Sequence, residues 1–160
     1  MQGPAVLPII VILYKLYFKI GNMRLSKELS VMIRTPLQSY PLGEQVAFLF
    51  FNGVLKVMEE SWTEAQRSLV AAFRNCAASS PKNKAVILSY LVPVNMLLGI
   101  MPRPEMLQRH RLDYFLPVVR AVRTGDPVAL RASLAQNQYR FIQARGSQCL
   151  LFSGNIGLVS

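Results

Sequence analysis

The sequence predicts an all-α protein, a right-handed solenoid of antiparallel helical hairpins, and three observations support this fold class. Helix starts near Ser61, Ser80, Pro104 and Asp126 recur at intervals of 19, 24 and 22 residues. Two helices therefore occupy about 40 residues, the period of helical-hairpin repeats. Before the last twenty residues, no stretch of useful length alternates apolar and polar residues as a strand would. Hydrophobic residues make up 52% of the 160 residues and charged residues 16%, so the chain can bury a core.

The apolar N-terminus predicts the first helix. The uninterrupted apolar run Pro4–Tyr14 spans 11 residues, which is too short for a membrane-spanning helix of about 20 residues. Lys15 and Lys19 then fall four residues apart among aliphatic and aromatic side chains. This spacing favours a mostly buried helix with one solvent-exposed edge. Gly21 predicts the end of this helix, and Arg24–Arg34 follows as an amphipathic helix.

Two further helices follow a proline-containing loop. The prolines and glycine of Thr35–Gly43 predict the loop, and Glu44–Met58 predicts an almost entirely apolar helix. Ser61 and Glu64 have the spacing of a capping box at the start of the next helix. Close contact between neighbouring helices is expected at small residues, namely Gly53, Ala65 and Ala72.

Prolines mark the later helices. Pro81 after Ser80 and Pro127 after Asp126 each lie at the first helical position, where the missing N–H costs nothing. Pro93 lies in the middle of a predicted helix and removes one backbone hydrogen bond. We expect the resulting bend to turn three residues onto the next hairpin: Met96, Leu97 and Leu98.

Few residues could carry catalysis. His110 is the only histidine and lies between two arginines, which would lower its pKa. Cys76 and Cys149 match no metal or redox spacing and are interpreted as two reduced thiols of an intracellular protein. No carboxylate pair accompanies the histidine, and the glycines are isolated, so they form no glycine-rich phosphate-binding loop. The sequence therefore predicts no enzyme, no metal, no cofactor and no small-molecule substrate.

Charge is the most informative property of the chain. Eighteen Lys and Arg face eight Asp and Glu, a net charge of +10, and from Ala65 to Arg145 twelve basic residues face three acidic ones. Such an excess favours anionic partners. These residues are either an ordinary solvated face or a basic ridge that contacts phosphates or an acidic protein. The candidate anion- or partner-binding residues are Lys82, Lys84, Arg109, Arg111, Arg120 and Arg123.

Four stretches carry a family resemblance. NKAVILSYLVPVNMLLGIMP, Asn83–Pro102, closely resembles the signature of PCI-domain proteins of the transcription-coupled mRNA-export (TREX) type. Ser61–Lys84 resembles the helical repeat of the same family, Leu13–Thr35 its upstream helices and Leu130–Gln143 its later helices. The resemblance covers Leu13–Arg145.

The resemblance implies a non-catalytic scaffold of stacked helical hairpins that ends in a winged helix. Family members belong to a complex at the nuclear pore, with some protein in the cytoplasm. Their implied partners are a large mRNA-export scaffold protein, a small acidic subunit, RNA and double-stranded DNA. The resemblance thus implies a nuclear protein that couples transcription to export of polyadenylated mRNA.

The chain departs from the family pattern at its C-terminus. We interpret residues 1–145 as the incomplete helical-repeat part of a PCI domain and residues 146–160 as an irregular tail. The missing winged helix would weaken contact with nucleic acid. A sibling complex, similar to the COP9 signalosome or the proteasome lid, is the first alternative. A membrane-associated helical protein, supported only by the apolar N-terminal run, is the second.

Overall fold

The computed structural model describes residues 6–33 and 36–140, and the described residues are helical, without strands. They form eight α-helices: α1 Val6–Ile20, α2 Met23–Ser30, α3 Leu42–Met58, α4 Trp62–Asn75, α5 Pro81–Leu97, α6 Pro104–Arg109, α7 Leu116–Thr124 and α8 Pro127–Gln136. Short 3-10 turns occupy Leu37–Ser39 and Asp113–Phe115. The predicted all-α fold class is confirmed. The predicted tail, residues 146–160, lies outside the described residues.

Most helices adjacent in sequence pack against one another. α1 contacts α2 and α3, α3 contacts α4, α4 contacts α5, and α7 contacts α8. Only three residues connect α3 to α4 and two connect α7 to α8, so the chain reverses between the helices of each pair. The result is the predicted stack of helical hairpins.

Aromatic side chains connect the first, third and fifth helices. Tyr14 on α1 stacks on Phe51 on α3, with ring centroids 5.9 Å apart. Phe50 meets Phe51 at 5.3 Å and Tyr90 on α5 at 5.6 Å in an edge-to-face arrangement. Such pairs contribute about 0.5–1.5 kcal/mol beyond their buried area. The core is therefore continuous from α1 to α5.

Gly53 sets the close approach of α3 and α4. A Cβ atom added there would lie 2.7 Å from Cγ and 2.8 Å from Cδ2 of Leu69, a fully buried side chain. Ala65 and Ala72 of α4 are also fully buried. The prediction of small residues at helix contacts is confirmed, because only a glycine leaves room for Leu69.

Helices end at residues in the left-handed conformation. At Gly21, Gly99 and Gly125, φ lies between 65° and 83°, and the next residue donates back into the helix, as from Asn22 to Tyr17 at 2.8 Å. The same geometry occurs at Glu60 and Arg111, both with φ of 58°. These five ends are Schellman motifs. The predicted stop at Gly21 is confirmed, and Gly125 ends α7 in the same conformation.

Helix starts agree with the sequence in position, but one capping prediction is wrong. Asp126 accepts hydrogen bonds from the backbone amides of Val128 at 3.0 Å and Ala129 at 3.1 Å. Ser61 does precede α4, but its side chain caps no amide. Glu64 instead pairs with Lys56 of α3 at 3.2 Å, because a charged partner from the adjacent helix competes with the cap.

Three expectations about exposure and length are corrected. α1 has a buried face, but its outer face is apolar rather than a polar edge: Ile9, Ile12, Leu16 and Ile20 are at least half exposed. α2 ends at Ser30, before the predicted Arg34, which lies outside the described residues. α5 runs through Pro93 to Leu97, yet Leu97 is 62% exposed and does not pack on the next hairpin.

Candidate anion-binding surface and apolar cleft

Three acidic residues in the first half of the chain, Glu28, Glu59 and Glu64, are held in ion pairs. Lys56 lies 3.2 Å from both Glu59 and Glu64, and Lys27 lies 3.3 Å from Glu59. Burial opposes ionisation of Glu59, but hydrogen bonds from Lys56 and Lys27 still hold the pKa of this carboxyl below its usual value. Hydrogen bonds to Glu64 and Glu59 raise the pKa of Lys56. This network joins α2, α3 and α4 and neutralises its own charges.

The six candidate basic residues lie on the later helices. Within residues 36–140, none of the six pairs with a carboxylate. Five are exposed and Lys84 is half-buried. The charge of this half of the chain is therefore available to a partner, as a basic surface requires.

Lys84 and Arg109 converge on His110. The Lys84 ammonium lies 4.5 Å from the centroid of the Phe73 ring, and the His110 ring meets the same phenyl ring at 5.7 Å. Burial, then Lys84 and then Arg109 lower the pKa of His110. The predicted direction of this pKa shift is confirmed, but burial is the larger cause and His110 is half-buried rather than a surface residue. Two cations beside a neutral imidazole can attract an anion.

Lys84 of this cluster also acts electrostatically on a buried thiol. Cys76 is free and buried, and burial raises the pKa of its thiol while Lys84 lowers it by a smaller amount. A thiol with a raised pKa is a poor nucleophile. Cys76 is therefore a packing residue, and Cys149 lies outside the described residues.

The ring contacts of this cluster involve none of the other candidates. Arg111 ends the turn after α6 in the left-handed conformation. Arg120 and Arg123 lie three residues apart on the exposed side of α7, close enough to act on one ligand. The structure thus brings together Lys84 and Arg109, and separately Arg120 and Arg123. No contact unites all six.

An apolar cleft, which the sequence did not predict, lies between the C-terminal half of α5 and the α7–α8 hairpin. One wall is the C-terminal half of α5, and the other is formed by α7 and α8. The cleft has a volume of about 840 Å³. Its walls include Tyr90, Pro93, Leu97, Tyr114, Val122 and Leu134. The available signal was the spacing of Leu130 and Leu134, which places a second apolar face on α8.

The described part of the chain offers no metal centre and no membrane span. No group of three or more His, Cys, Asp or Glu there could hold a metal ion. No helix within residues 6–33 and 36–140 is long and apolar enough to cross a membrane.

Comparison with known proteins shows that the chain is similar to proteins named for a PCI domain. The chain is 37% identical over 134 residues to the PCI domain-containing protein 2 homolog of Caenorhabditis elegans, covering 82% of the chain and 32% of that protein. Identity with the Dictyostelium discoideum homolog of the same name is 34% over 134 residues, covering 81% and 31%. The Protein CSN12 homolog of Neurospora crassa is 33% identical over 146 residues, covering 86% and 32%.

The chain spans about a third of the length of these relatives. No family model matches it. The names of these three relatives describe no enzymatic activity.

Proposed function

We propose that the protein is a non-catalytic scaffold subunit of a nuclear complex that couples transcription to export of polyadenylated mRNA. The observation that carries this proposal is the homology to PCI domain-containing protein 2 over four-fifths of the chain. The stack of helical hairpins supports it, because such stacks present extended surfaces to several partners at once. The proposed location is the nucleus, at the nuclear pore, with some protein in the cytoplasm.

The proposed partners are a large export scaffold protein, a small acidic subunit, RNA and double-stranded DNA. Charge supports anionic partners, because the six candidate residues pair with no carboxylate in the described part of the chain. Lys84, which lies with His110 on the Phe73 ring, and the exposed Arg109, which precedes His110 in the chain, are the first residues proposed to contact an anion. Contact with phosphates or acidic side chains through arginine and lysine needs no base-specific readout.

Affinity purification of the tagged chain from its own cells tests the scaffold role. We expect mRNA-export proteins and polyadenylated RNA among the co-purified molecules. The similarity to a protein named CSN12 homolog favours a second candidate function, a subunit of a signalosome-like complex. Co-purification of signalosome or proteasome-lid subunits without export factors would replace the first proposal with the second.

Charge reversal tests the anion-binding surface. Fluorescence anisotropy with a labelled single-stranded RNA and a labelled DNA duplex would compare the chain with the double variant Lys82→Glu, Arg109→Glu. We expect about tenfold weaker binding for this variant and a shallower salt dependence. The matched control is Lys19→Glu, Arg67→Glu, which reverses two exposed charges outside the candidate set. Equal losses of affinity in the two double variants would show that binding depends on net charge and not on the candidate residues.

A further inference from the structure

The apolar cleft between α5 and the α7–α8 hairpin has the properties of a binding groove. Leu97 is 62% exposed, Leu134 44% and Val122 36%, and all three line the cleft. Proteins rarely leave contiguous apolar walls open to water unless a ligand or partner covers them. A groove of this size, concave and open along two helices, suits the apolar face of one helix.

Two arginines, Arg131 on α8 and Arg140 four residues after its end, lie along one edge of the cleft. The Arg140 guanidinium lies 6.0 Å from the centroid of the Tyr114 ring, and Tyr114 lines the cleft. Arg131 is exposed and lies one helical turn before Leu134 and Ala135, which both line the cleft, so it extends the same helix face.

Acidic residues do not offset this edge. Within the described residues after Glu105, six arginines face only Asp113 and Asp126. The Asp126 carboxylate is occupied in capping α8. The edge along α8 is therefore positive.

We propose that this cleft binds an amphipathic helix of a partner protein, with acidic residues along the side of the helix that faces Arg131 and Arg140. The apolar face of the helix would cover Leu97, Val122 and Leu134, and its carboxylates would pair with the two arginines. This inference rests on the proposed scaffold function and adds to it a site and the chemistry of the partner.

Other occupants fit less well. Nucleic acid presents phosphates and would leave the apolar walls uncovered, and the Tyr114 ring already stacks on Phe115 at 4.8 Å, so it is not a free platform for a base. A second copy carries the same net charge of +10 and would bring like charges to the arginine edge. An acidic helix matches both the apolar walls and the positive edge.

Two designed peptides provide the probe. Each is a helix of about 16 residues with leucines at positions i, i+4, i+7 and i+11. One peptide carries glutamates along one side of the leucines, and the other carries lysines at the same positions. Anisotropy of fluorescein-labelled peptides would be measured against the full 160-residue chain. We expect the glutamate peptide to bind at least about tenfold more tightly, with an affinity that falls as salt rises.

Three variants locate the binding site. Leu97→Glu places a charge in the apolar wall and should lower the affinity for the glutamate peptide by at least about tenfold. Arg131→Glu should weaken binding of the glutamate peptide and strengthen binding of the lysine peptide. Val128→Glu is the matched control, because Val128 is 73% exposed on α8 and does not line the cleft. It should change either affinity by less than about twofold.

The outcomes separate this proposal from its alternatives. Absence of binding by both peptides, equal binding of the two, or equal losses in Leu97→Glu and Val128→Glu would overturn it. Concentration-dependent dimerisation in sedimentation experiments, abolished by Leu97→Glu, would assign the cleft to a second copy instead. All three variants change exposed residues, and circular dichroism would test whether each variant folds. Peptide binding is independent of co-purified export factors, so either proposal can fail alone.

Discussion

The contact between Gly53 and Leu69 gives the sharpest test of how the hairpins pack. A methyl group at position 53 would lie 2.7 Å from Cγ of Leu69, well inside van der Waals contact. Leu69 is fully buried and its backbone nitrogen lies only 3.4 Å from the added atom, so neither the side chain nor α4 can move away easily. The clash must therefore be absorbed by the core.

The magnitude follows from two opposing effects. Replacing glycine by alanine in a helix interior gains about 1 kcal/mol of helix propensity, while overpacking a core costs about 1–3 kcal/mol. We therefore expect Gly53→Ala to lower the free energy of unfolding by about 1 kcal/mol. Leu69→Ala alone should lower it by about 2–5 kcal/mol, because it leaves a cavity.

The double variant separates these effects. In the Leu69→Ala background the clash is absent, so alanine at position 53 gains its propensity and about 0.8 kcal/mol for a buried methyl group. The same substitution should then stabilise the protein by about 1–2 kcal/mol. The sign change corresponds to a coupling energy of about 2–3 kcal/mol between the two positions.

Urea unfolding, followed by far-UV circular dichroism and by fluorescence of the single tryptophan Trp62, measures all four free energies. Gly43→Ala, at an exposed position of the same helix, is the control and should be stabilising. Additive effects of Gly53→Ala and Leu69→Ala, or stabilisation by Gly53→Ala alone, would refute the close approach of α3 and α4.

Three further predictions concern local features. Glu60→Gly should stabilise the protein by about 0.5–1 kcal/mol, since glycine accepts the left-handed conformation without strain; a loss of stability in urea unfolding would contradict this. Asp126→Ala should lower the free energy of unfolding by about 1 kcal/mol because the cap is lost. Asp126→Asn should keep most of the stabilisation by the cap, and thermal unfolding of both variants tests this difference. In an NMR titration, the pKa of the His110 imidazole should lie below its usual value, and Lys84→Met should raise this pKa. Because this pKa is lowered, the contribution of neutral His110 to the free energy of unfolding is complete above about pH 6.5 and decreases as the pH falls toward the folded-state pKa. Between about pH 7 and pH 5, the free energy of unfolding should therefore fall more in the unmodified protein than in His110→Gln. Equal falls in the two proteins would contradict this prediction.

Sequence alone determined the helices, many of their ends and the sign of the charge. These features rest on local chemistry: a glycine in the left-handed conformation ends α1 and α7, and an aspartate before a proline starts α8. The all-α fold class follows from the absence of strand patterns and the recurring helix starts. The family resemblance is likewise carried by the residue pattern of Asn83–Pro102 and needs no tertiary contact to be identified.

The tertiary structure decided which side chains meet, because partners distant in sequence compete with local ones. Glu64 has a cap within reach, yet it pairs with Lys56 of the neighbouring helix. Lys84 and His110 meet over Phe73 although 26 residues separate them in the chain. Leu97 belongs to an apolar helix and is nevertheless exposed, because the C-terminal end of α5 lines the cleft beside the α7–α8 hairpin. A sequence pattern shows that a face is apolar, but only the packing of the hairpins determines whether that face becomes core or cleft.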